Sequence, residues 1–364
     1  MNSNVALPTY VKLSLTIIGL FVFVMILYIA KDLLTPLIYA AMIAITLSPL
    51  VGFFVRKKMN RILAIVISLF FVSVVLVALI VLISTQMADF TDVFPKLVDT
   101  FTEKLNELVL WTSKYINIST YKINIYITKF KNGILDNSQG AIGLTIGTIS
   151  KSLAKMLLIP VYVFMILFYQ PMLLEFIRKL FGKNNLKDVN NILSLTKSVI
   201  QRYLIALLLE TSIVAVLNTI GLFIIGFKYA IVLGIIGALL NLIPYIGGLV
   251  AIVLYVIIAL VTKDSISSVF YVIGIYSFIQ FIDNNLIVPK LVGSKVKINA
   301  LVAIVGVIVG GALWGINGMF LSIPIIAILK VIFDHIESLK PWGFLLGDTM
   351  PEIVSLKINM KKKK

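Results

Sequence analysis

The apolar run at residues 229–261 is interrupted at its middle by the sequence NLIPYIGG, residues 241–248. A continuous helix over this run would be about 50 Å long at 1.5 Å per residue, whereas the hydrocarbon core of a bilayer is about 30 Å thick. The run is therefore too long for one comfortable membrane span and too short for two. Because proline removes a helix hydrogen bond and glycine loosens the backbone, residues 241–248 predict a break in the helix.

The remainder of the chain is equally apolar. Of its 364 residues, 60% are hydrophobic and only 13% are charged, and a soluble domain could not bury so much apolar surface. A second long run, residues 298–333, is interrupted by GGALWGING at residues 310–318. The other runs predict full membrane spans: 11–30, 33–55, 62–84, 142–169, 203–227 and 265–282. We therefore predict an all-α polytopic integral membrane protein with about six full spans and two interrupted runs.

Basic residues in short loops predict the orientation of the chain in the membrane. Residues 56–61, RKKMNR, carry four basic residues and no acidic one, which predicts a cytoplasmic loop and a cytoplasmic N-terminus. If both interrupted runs are re-entrant helical hairpins, every short basic loop and the lysine-rich C-terminus are cytoplasmic as well. In the alternative with eight spanning helices, residues 288–297 and their lysines lie outside. The hairpin interpretation is preferred, and it requires protein or water around each break, because non-helical backbone is not tolerated against lipid.

The composition also limits the classes of function. The chain has no cysteine and a single histidine, His335, so thiolate chemistry and multi-histidine metal sites are excluded. Neither a G-x-x-x-x-G-K-[ST] phosphate loop nor an H-E-x-x-H motif is present. The net charge of +16 comes mostly from loops and from the tail KINMKKKK, where lysine marks the cytoplasmic side. We expect no enzyme activity, no cofactor, no metal site and no nucleic-acid partner.

Glu210 lies well inside the predicted span 203–227. A carboxylate near the bilayer centre costs about 2.5–3.5 kcal/mol on insertion scales, so its side chain should face protein or water. The sequence leaves two interpretations open: a proton or cation relay, and a carboxyl group that is hydrogen-bonded across a helix interface.

A polar cluster follows at the end of the last full span, in the sequence IQFIDNNLIVPKLVG. Gln280 and Asp283 are three residues apart and share a helix face, with Asn284 and Asn285 beside them. Amides and a carboxylate together can bind a polyhydroxylated solute or coordinate a small cation. The alternative is a capped helix end at headgroup level. Asn241 would add an amide to the same cavity if the two hairpins meet.

The chain resembles the autoinducer-2 exporter family of bacterial and archaeal membrane proteins. The similarity is carried by GALLNLIPYIGG and by IQFIDNNLIVPKLVGSKVKINALVAIVGVIVGGALWGINGMFLSIPIIAIL. It is weaker in LLTPLIYAAMIAITLSPLVGFFVRKKMNR and in VIQRYLIALLLE. The resemblance implies secondary transport, either export of the quorum-sensing furanone or sodium or lithium/proton antiport. It also implies a homo-oligomer, with a pentamer as the candidate assembly.

The resemblance also implies roles for individual residues. The Ile-Pro-Tyr-x-Gly motif of the family maps onto Ile243, Pro244, Tyr245 and Gly247. Its Gln-x-x-acid-x-Asn and Pro-x-Leu-x-Gly patterns map onto Gln280, Asp283, Asn285, Pro289, Leu291 and Gly293. Its glycine pair maps onto Gly310 and Gly311. Gly248 stands where many members have a second proline, so this tip should be more flexible.

Together these features predict a secondary transporter driven by a proton or sodium gradient, with a small solute or a monovalent cation and the lipid bilayer as partners. The candidate coupling carboxylates are Glu210 and Asp283. The candidate solute or ion contacts are Asn241, Tyr245, Gln280, Asn284 and Asn285. The candidate hairpin or hinge residues are Pro244, Gly247, Gly248, Pro289, Gly293, Gly310 and Gly311. The alternative from another class is a non-transporting membrane scaffold whose basic cytoplasmic loops recruit partners or anionic lipid.

We predict five segments in a protein of the cell membrane with both termini in the cytoplasm. They are a three-span unit (1–84), an extracytoplasmic amphipathic helical loop (85–140), a span with a basic cytoplasmic helical segment (141–202), a transport core with both interrupted runs (203–333) and a basic cytoplasmic tail (334–364). In the second segment, apolar residues recur at helical spacing: Phe94, Leu97, Phe101, Leu105 and Leu108.

Overall fold

The computed structural model describes residues 8–113, 145–181, 186–244, 246–263, 265, 267–293 and 298–349. Every regular element within these residues is helical, which confirms the predicted all-α fold. The α-helices are α1 (Thr9–Ile29), α2 (Lys31–Arg56), α3 (Arg61–Ser113), α4 (Thr145–Leu180), α5 (Leu186–Ile224), α6 (Ala230–Leu240), α7 (Ile246–Thr262), α8 (Ser267–Ile282), α9 (Ala300–His335) and α10 (Lys340–Leu346). Two π-helical segments, Asp283–Ile287 and Pro289–Gly293, extend α8, and a 3-10 turn, Glu337–Leu339, precedes α10.

In the described part of the chain, seven helical segments are long and apolar enough to cross a membrane, which confirms the polytopic architecture. Six of them, in α1 to α5 and in α8 with its π-helical extension, correspond to the predicted full spans. The seventh, α9, is the second interrupted run. The first interrupted run consists of α6 and α7, which have 11 and 17 residues. At 1.5 Å per residue they are about 16 and 25 Å long, so neither crosses a 30 Å core by itself.

The helices α6 and α7 form an antiparallel hairpin, which we call hairpin 1 (residues 230–262). The hydroxyl of Tyr255 in α7 donates a hydrogen bond to the Leu233 carbonyl in α6 at 2.9 Å. Nearer the break, Gly247 packs so closely on α6 that an added Cβ would meet the Leu240 carbonyl. The pairs of contacting residues are 22 positions apart in sequence at Leu233 and Tyr255 but only seven apart at Leu240 and Gly247. The chain therefore reverses between Leu240 and Gly247, within NLIPYIGG, as the sequence predicts. Insertion of hairpin 1 from the outer side of the membrane stays a prediction.

The helix α9 also folds back on itself and forms hairpin 2 (residues 300–335). Its backbone leaves helical geometry at Gly315, where φ is 63° and ψ is −142°, a conformation that glycine tolerates best. In a straight helix Gly306 and Ile326 would be about 30 Å apart. Instead, an added Cβ at Gly306 would meet the Ile326 side chain. The run is therefore a hairpin and not one straight spanning helix.

The tip of hairpin 2 lies at Gly315, within the break that the sequence predicts at residues 310–318. The candidate hinge residues Gly310 and Gly311 lie in the first helical limb. Gly310 lies directly against Gly318 of the second limb, because an added Cβ at either position would meet the carbonyl group of the other. These two glycines permit close approach of the limbs, whereas the reversal itself needs the positive φ of Gly315.

The long helix α5 lies at the centre of the fold, packed by α2, α4, α6, α8 and α9. Its buried residues recur every three or four positions and include Tyr203, Glu210, Val214 and Asn218. The Trp314 indole donates to the Leu27 carbonyl of α1 at 3.0 Å, which attaches the tip of hairpin 2 to the N-terminal helices. This arrangement places both hairpins against α5.

The segments outside the predicted spans are partly helical. The 53 residues of α3 correspond to about 80 Å of helix, so this helix continues well beyond the candidate span Arg61–Thr85. It includes the predicted amphipathic helix, but the side chains of the stripe (Phe94, Leu97, Phe101, Leu105 and Leu108) lie outside the described residues. The predicted tail 334–364 begins with the last two residues of α9 and includes α10. Asn299 donates to the Leu345 carbonyl at 2.7 Å, which attaches α10 to the start of hairpin 2. The five segment boundaries stay predictions.

Candidate functional site

A cavity of about 770 Å³ lies where the tip of hairpin 1 meets α5, α8 and hairpin 2. Its volume falls within the range of roughly 300–1,000 Å³ that small-molecule sites occupy. Its polar lining residues are Tyr203, Glu210, Asn241, Tyr276, Ser277, Gln280, Asp283, Asn284 and Asn285. The structure therefore brings together both predicted coupling carboxylates and four of the five predicted contact residues. The fifth, Tyr245, lies outside the described residues.

Asp283 is the most deeply placed polar group of this cavity, with 1% of the residue exposed. The Asn241 side chain donates a hydrogen bond from Nδ2 to Oδ2 of Asp283 at 2.9 Å. The other carboxyl oxygen, Oδ1, is buried and accepts no hydrogen bond from any described residue. A carboxylate holds several acceptor sites, so Asp283 keeps an unused one beside the cavity.

The tip of hairpin 1 is attached to α8 through polar contacts. Gln280 donates from Nε2 toward Oδ1 of Asn241 at 3.5 Å, at the long end of the hydrogen-bonding range. The Tyr276 hydroxyl donates to the Gly248 carbonyl at 2.9 Å. Tyr276, Gln280 and Asp283 recur at spacings of four and three on one side of α8, which explains why all of them reach the same tip. Movement of the tip would therefore change the surroundings of Asp283.

The interpretation of residues 280–285 as a capped helix end is wrong. The helix continues past Ile282 as the π-helix Asp283–Ile287. Successive side chains of an α-helix point about 100° apart. A π-helix has more residues per turn, so the angle between its successive side chains is smaller. As a result, three consecutive polar residues, Asp283, Asn284 and Asn285, all line the cavity. Single π-helical turns within α-helices occur frequently at functional sites.

Glu210 reaches the same cavity from α5. It is 8% exposed, and its carboxyl group interacts electrostatically with that of Asp283. The described lining residues include these two acidic side chains and no lysine or arginine. When these carboxyl groups are ionised, they would attract a proton or a cation. This position supports the relay interpretation of Glu210, whose role stays a prediction.

The predicted hinge residues are divided among three elements. Pro244 and Gly248 line the cavity at the tip of hairpin 1, and Gly247 is buried directly behind it. The other four, Pro289, Gly293, Gly310 and Gly311, are not among the lining residues: the first two lie in the second π-helix and the last two in hairpin 2. Their hinge roles stay predictions.

Two lining tyrosines are absent from the site residues that the sequence predicts. Tyr276 is four residues before Gln280, and Tyr203 is seven residues before Glu210, so each shares a helix face with a predicted residue. This spacing is present in the sequence and could have identified both of them. Ser277 lines the cavity as well, and the sequence carries no comparable signal for it.

Comparison with known proteins gives consistent results over almost the whole chain. Residues 17–338 match the family model described as "AI-2E family transporter". "Putative transport protein YrrI" of Bacillus subtilis (strain 168) is 25% identical over 322 residues, which cover 84% of this chain and 87% of YrrI. "AI-2 transport protein TqsA" of Escherichia coli (strain K12) is 23% identical over 331 residues, which cover 89% of this chain and 92% of TqsA.

Proposed function

Because the chain belongs to the AI-2E family of transporters, we propose that it is a secondary transporter that exports a small polar solute, coupled to a proton or sodium gradient. The observation that carries this proposal is Asp283. It is a buried carboxylate with one unused oxygen, at the wall of a cavity that also contains Glu210. Acidic residues inside membrane segments mark ion pathways and proton relays.

The lining supports a hydroxylated solute such as autoinducer-2. The amides of Asn241, Gln280 and Asn284 can both donate and accept hydrogen bonds. Apolar residues, including Leu249 and Ile252, complete the wall, and such a mixture of apolar surface and a few polar groups is typical of small-molecule sites. The printed name of TqsA, an AI-2 transport protein, suggests the same class of solute.

A second candidate function is sodium or lithium/proton antiport. It is favoured by the charge of the cavity, since Glu210 and Asp283 have no lysine or arginine among the described lining residues. Oxygen atoms of carboxylates and amides are suitable ligands for small hard cations. In this alternative the cation is itself the transported solute, and the amides of Asn241 and Gln280 act as its ligands.

Coupling follows from the cost of a buried charge. A carboxylate in a dry interior is unfavourable unless a cation or a proton neutralises it. Asp283 hydrogen-bonds to Asn241 at the tip of hairpin 1, so its charge state directly affects how the tip packs. We infer that binding of a proton or cation at Asp283 lets hairpin 1 close over the cavity, and that its release lets the tip separate.

The direct test is transport by the purified protein in liposomes that contain a pH-sensitive dye. Proton movement across the membrane when sodium or lithium is added outside, with no movement in empty liposomes, would establish the antiport alternative. An intact, inserted protein that moves no protons would exclude antiport. Solute export would then be tested with liposomes that contain autoinducer-2. Release of autoinducer-2 under a proton or sodium gradient supports export, and its retention contradicts export. If neither cation nor solute moves, the proposed function is wrong and the scaffold alternative takes its place.

The location and partners belong to the same proposal. The spans and the family make the chain an integral membrane protein, and we propose the cell membrane, with both termini cytoplasmic. None of the residues of α1 is buried, and most large apolar residues of α3 between residues 62 and 82 are exposed. These surfaces are available to lipid and to further copies of the chain, which supports a homo-oligomer.

Labelling of single cysteines tests the orientation, because the chain contains no native cysteine. With re-entrant hairpins, a membrane-impermeant thiol reagent applied outside should label Ser265→Cys and spare Lys57→Cys and Lys295→Cys. In the eight-span alternative, the reagent should label Lys295→Cys and spare Ser265→Cys. Labelling of all three variants after permeabilisation shows that each cysteine is reactive. Exposure of Lys57→Cys from outside would contradict the proposed orientation.

A further inference from the structure

Asn218 is a buried amide in α5 that is not among the residues lining the cavity. It is 2% exposed, and neither its Oδ1 nor its Nδ2 has a hydrogen-bond partner among the described residues. Burial of an amide without a partner is unfavourable, and a leucine would fill a similar volume without this cost. A purely structural contact therefore does not account for an amide at this position.

Asn218 lies on the same face of α5 that lines the cavity. Glu210, Val214 and Asn218 follow one another at intervals of four residues, and all three are buried. Residues four apart lie above one another on a helix, so Asn218 is about 12 Å from Glu210 along the axis. The direction is toward the base of hairpin 1, where Lys263 donates to the Gly226 carbonyl at 2.7 Å.

The wall opposite Asn218 is a glycine surface of hairpin 1. An added Cβ at Gly234 would meet the backbone of Thr219 in α5. An added Cβ at Gly237 would meet the Tyr255 hydroxyl and lie 3.4 Å from Nδ2 of Asn218. Hairpin 1 thus contacts α5 through its backbone in this region. The side-chain hydroxyl of Thr219 also lies against Gly234, so a route between the two elements requires a displacement of hairpin 1.

Aromatic residues connect this region to the cavity. The Tyr255 hydroxyl donates to the Leu233 carbonyl at 2.9 Å and keeps an acceptor lone pair. The Tyr255 and Tyr276 rings contact each other edge to face, with their centroids 5.5 Å apart. Tyr276 in turn lines the cavity. The two tyrosine rings therefore lie between the cavity and the region of Asn218, and each carries a hydroxyl group.

We propose that Asn218 is a second polar site on the route of the solute, which runs between α5 and hairpin 1 from the cavity to the face at the base of the hairpin. This inference rests on the proposed transport function and specifies its route. The ligand is a small neutral molecule that both donates and accepts hydrogen bonds, which is water between transport cycles and the hydroxylated solute during transport. The amide offers one donor group and one acceptor group, and the Tyr255 hydroxyl offers a further acceptor.

Thiol accessibility tests this site without any transport measurement. Asn218→Cys places a single thiol in an otherwise cysteine-free chain. In proteoliposomes, we expect it to react with a small water-soluble methanethiosulfonate roughly tenfold faster or more than the control Leu222→Cys, because thiol reactivity depends on access. Leu222 is in the same helix, 3% exposed and part of an apolar cluster. Equally slow reaction of both folded variants would overturn the proposal.

A second variant separates a binding role from a packing role. Asn218→Leu should keep or raise the midpoint of thermal unfolding, since it removes an amide without partners, and should slow solute transport by roughly tenfold or more. A lower unfolding midpoint with normal transport would assign Asn218 a structural role and overturn the proposal. If the wild-type protein transports nothing, the thiol measurement still reports on access to Asn218. Failure of the proposed transport function can therefore be distinguished from failure of the proposed site at Asn218.

Discussion

Asp283→Asn is expected to abolish coupled transport while leaving the protein folded. The substitution preserves the shape of the side chain, and an asparagine oxygen can still accept the hydrogen bond from Asn241 that now measures 2.9 Å. It removes the negative charge beside the cavity. The unpartnered Oδ1 of Asp283 is replaced by an amide group or by an uncharged oxygen. Loss of one partner of a buried charge pair costs about 3–5 kcal/mol, which corresponds to a cation affinity at least roughly hundredfold weaker.

The measurement is whichever flux the wild-type protein shows in liposomes, cation-dependent proton flux or autoinducer-2 export, with Asp348→Asn as the matched control. Asp348 is exposed and not among the lining residues, so its substitution removes the same charge from the chain and should leave the flux unchanged. Equal insertion and equal thermal unfolding of the two variants would show that the comparison concerns the site alone. Flux in Asp283→Asn that remains near the wild-type value would mean that Asp283 is not the coupling group.

Asp283→Asn and replacement of the basic residues within 171–202 together distinguish a transporter from a scaffold. A scaffold that recruits partners through basic cytoplasmic loops should tolerate Asp283→Asn, since this residue is 1% exposed and cannot contact a partner protein. It should fail when the basic residues within 171–202 are replaced. A transporter should show the opposite pattern. The variants therefore separate the two classes of function even before the solute is identified.

The sequence predicted those parts of the fold that depend on local properties of the chain. Apolar runs of membrane-spanning length predicted the six spans, and the proline and glycines of residues 241–248 predicted the tip of hairpin 1. The meeting of Asn241 and Asp283, which are 42 residues apart, was anticipated only on the condition that the two hairpins meet. Glu210 was recognisable because a carboxylate is conspicuous inside an apolar span.

The parts that could not be predicted depend on packing between elements. The run 310–318 contains several glycines, and composition does not distinguish a glycine needed for close contact, such as Gly310, from one needed for positive φ, such as Gly315. The π-helix after Ile282 has no sequence signature, so the three consecutive polar residues resembled a helix end. Asn218 is a lone amide in an apolar run, and the sequence does not show whether such an amide is hydrogen-bonded. Only the structure shows that it has no partner among the described residues.

Gly318→Ala is expected to destabilise the protein strongly, although it adds only one methyl group. Gly318 is buried, and its added Cβ would meet the carbonyl carbon and oxygen of Gly310 on the facing limb, with the Trp314 Cβ at 3.0 Å. The first of these neighbours is helical backbone, which cannot rotate away as a flexible side chain can. Insertion of even one methyl group into such a contact should cost about 1–3 kcal/mol or more.

The control for this effect is Gly274→Ala. Gly274 is also within a helix, α8, but nothing lies within 4 Å of its added Cβ. Because glycine in a helix interior is less stable than alanine by about 0.5–1 kcal/mol, this variant should unfold at the same or a higher temperature than the wild-type protein. Thermal unfolding in detergent, followed by size-exclusion recovery, measures both variants. A Gly318→Ala protein as stable as Gly274→Ala would mean that the limbs of hairpin 2 are not in backbone contact.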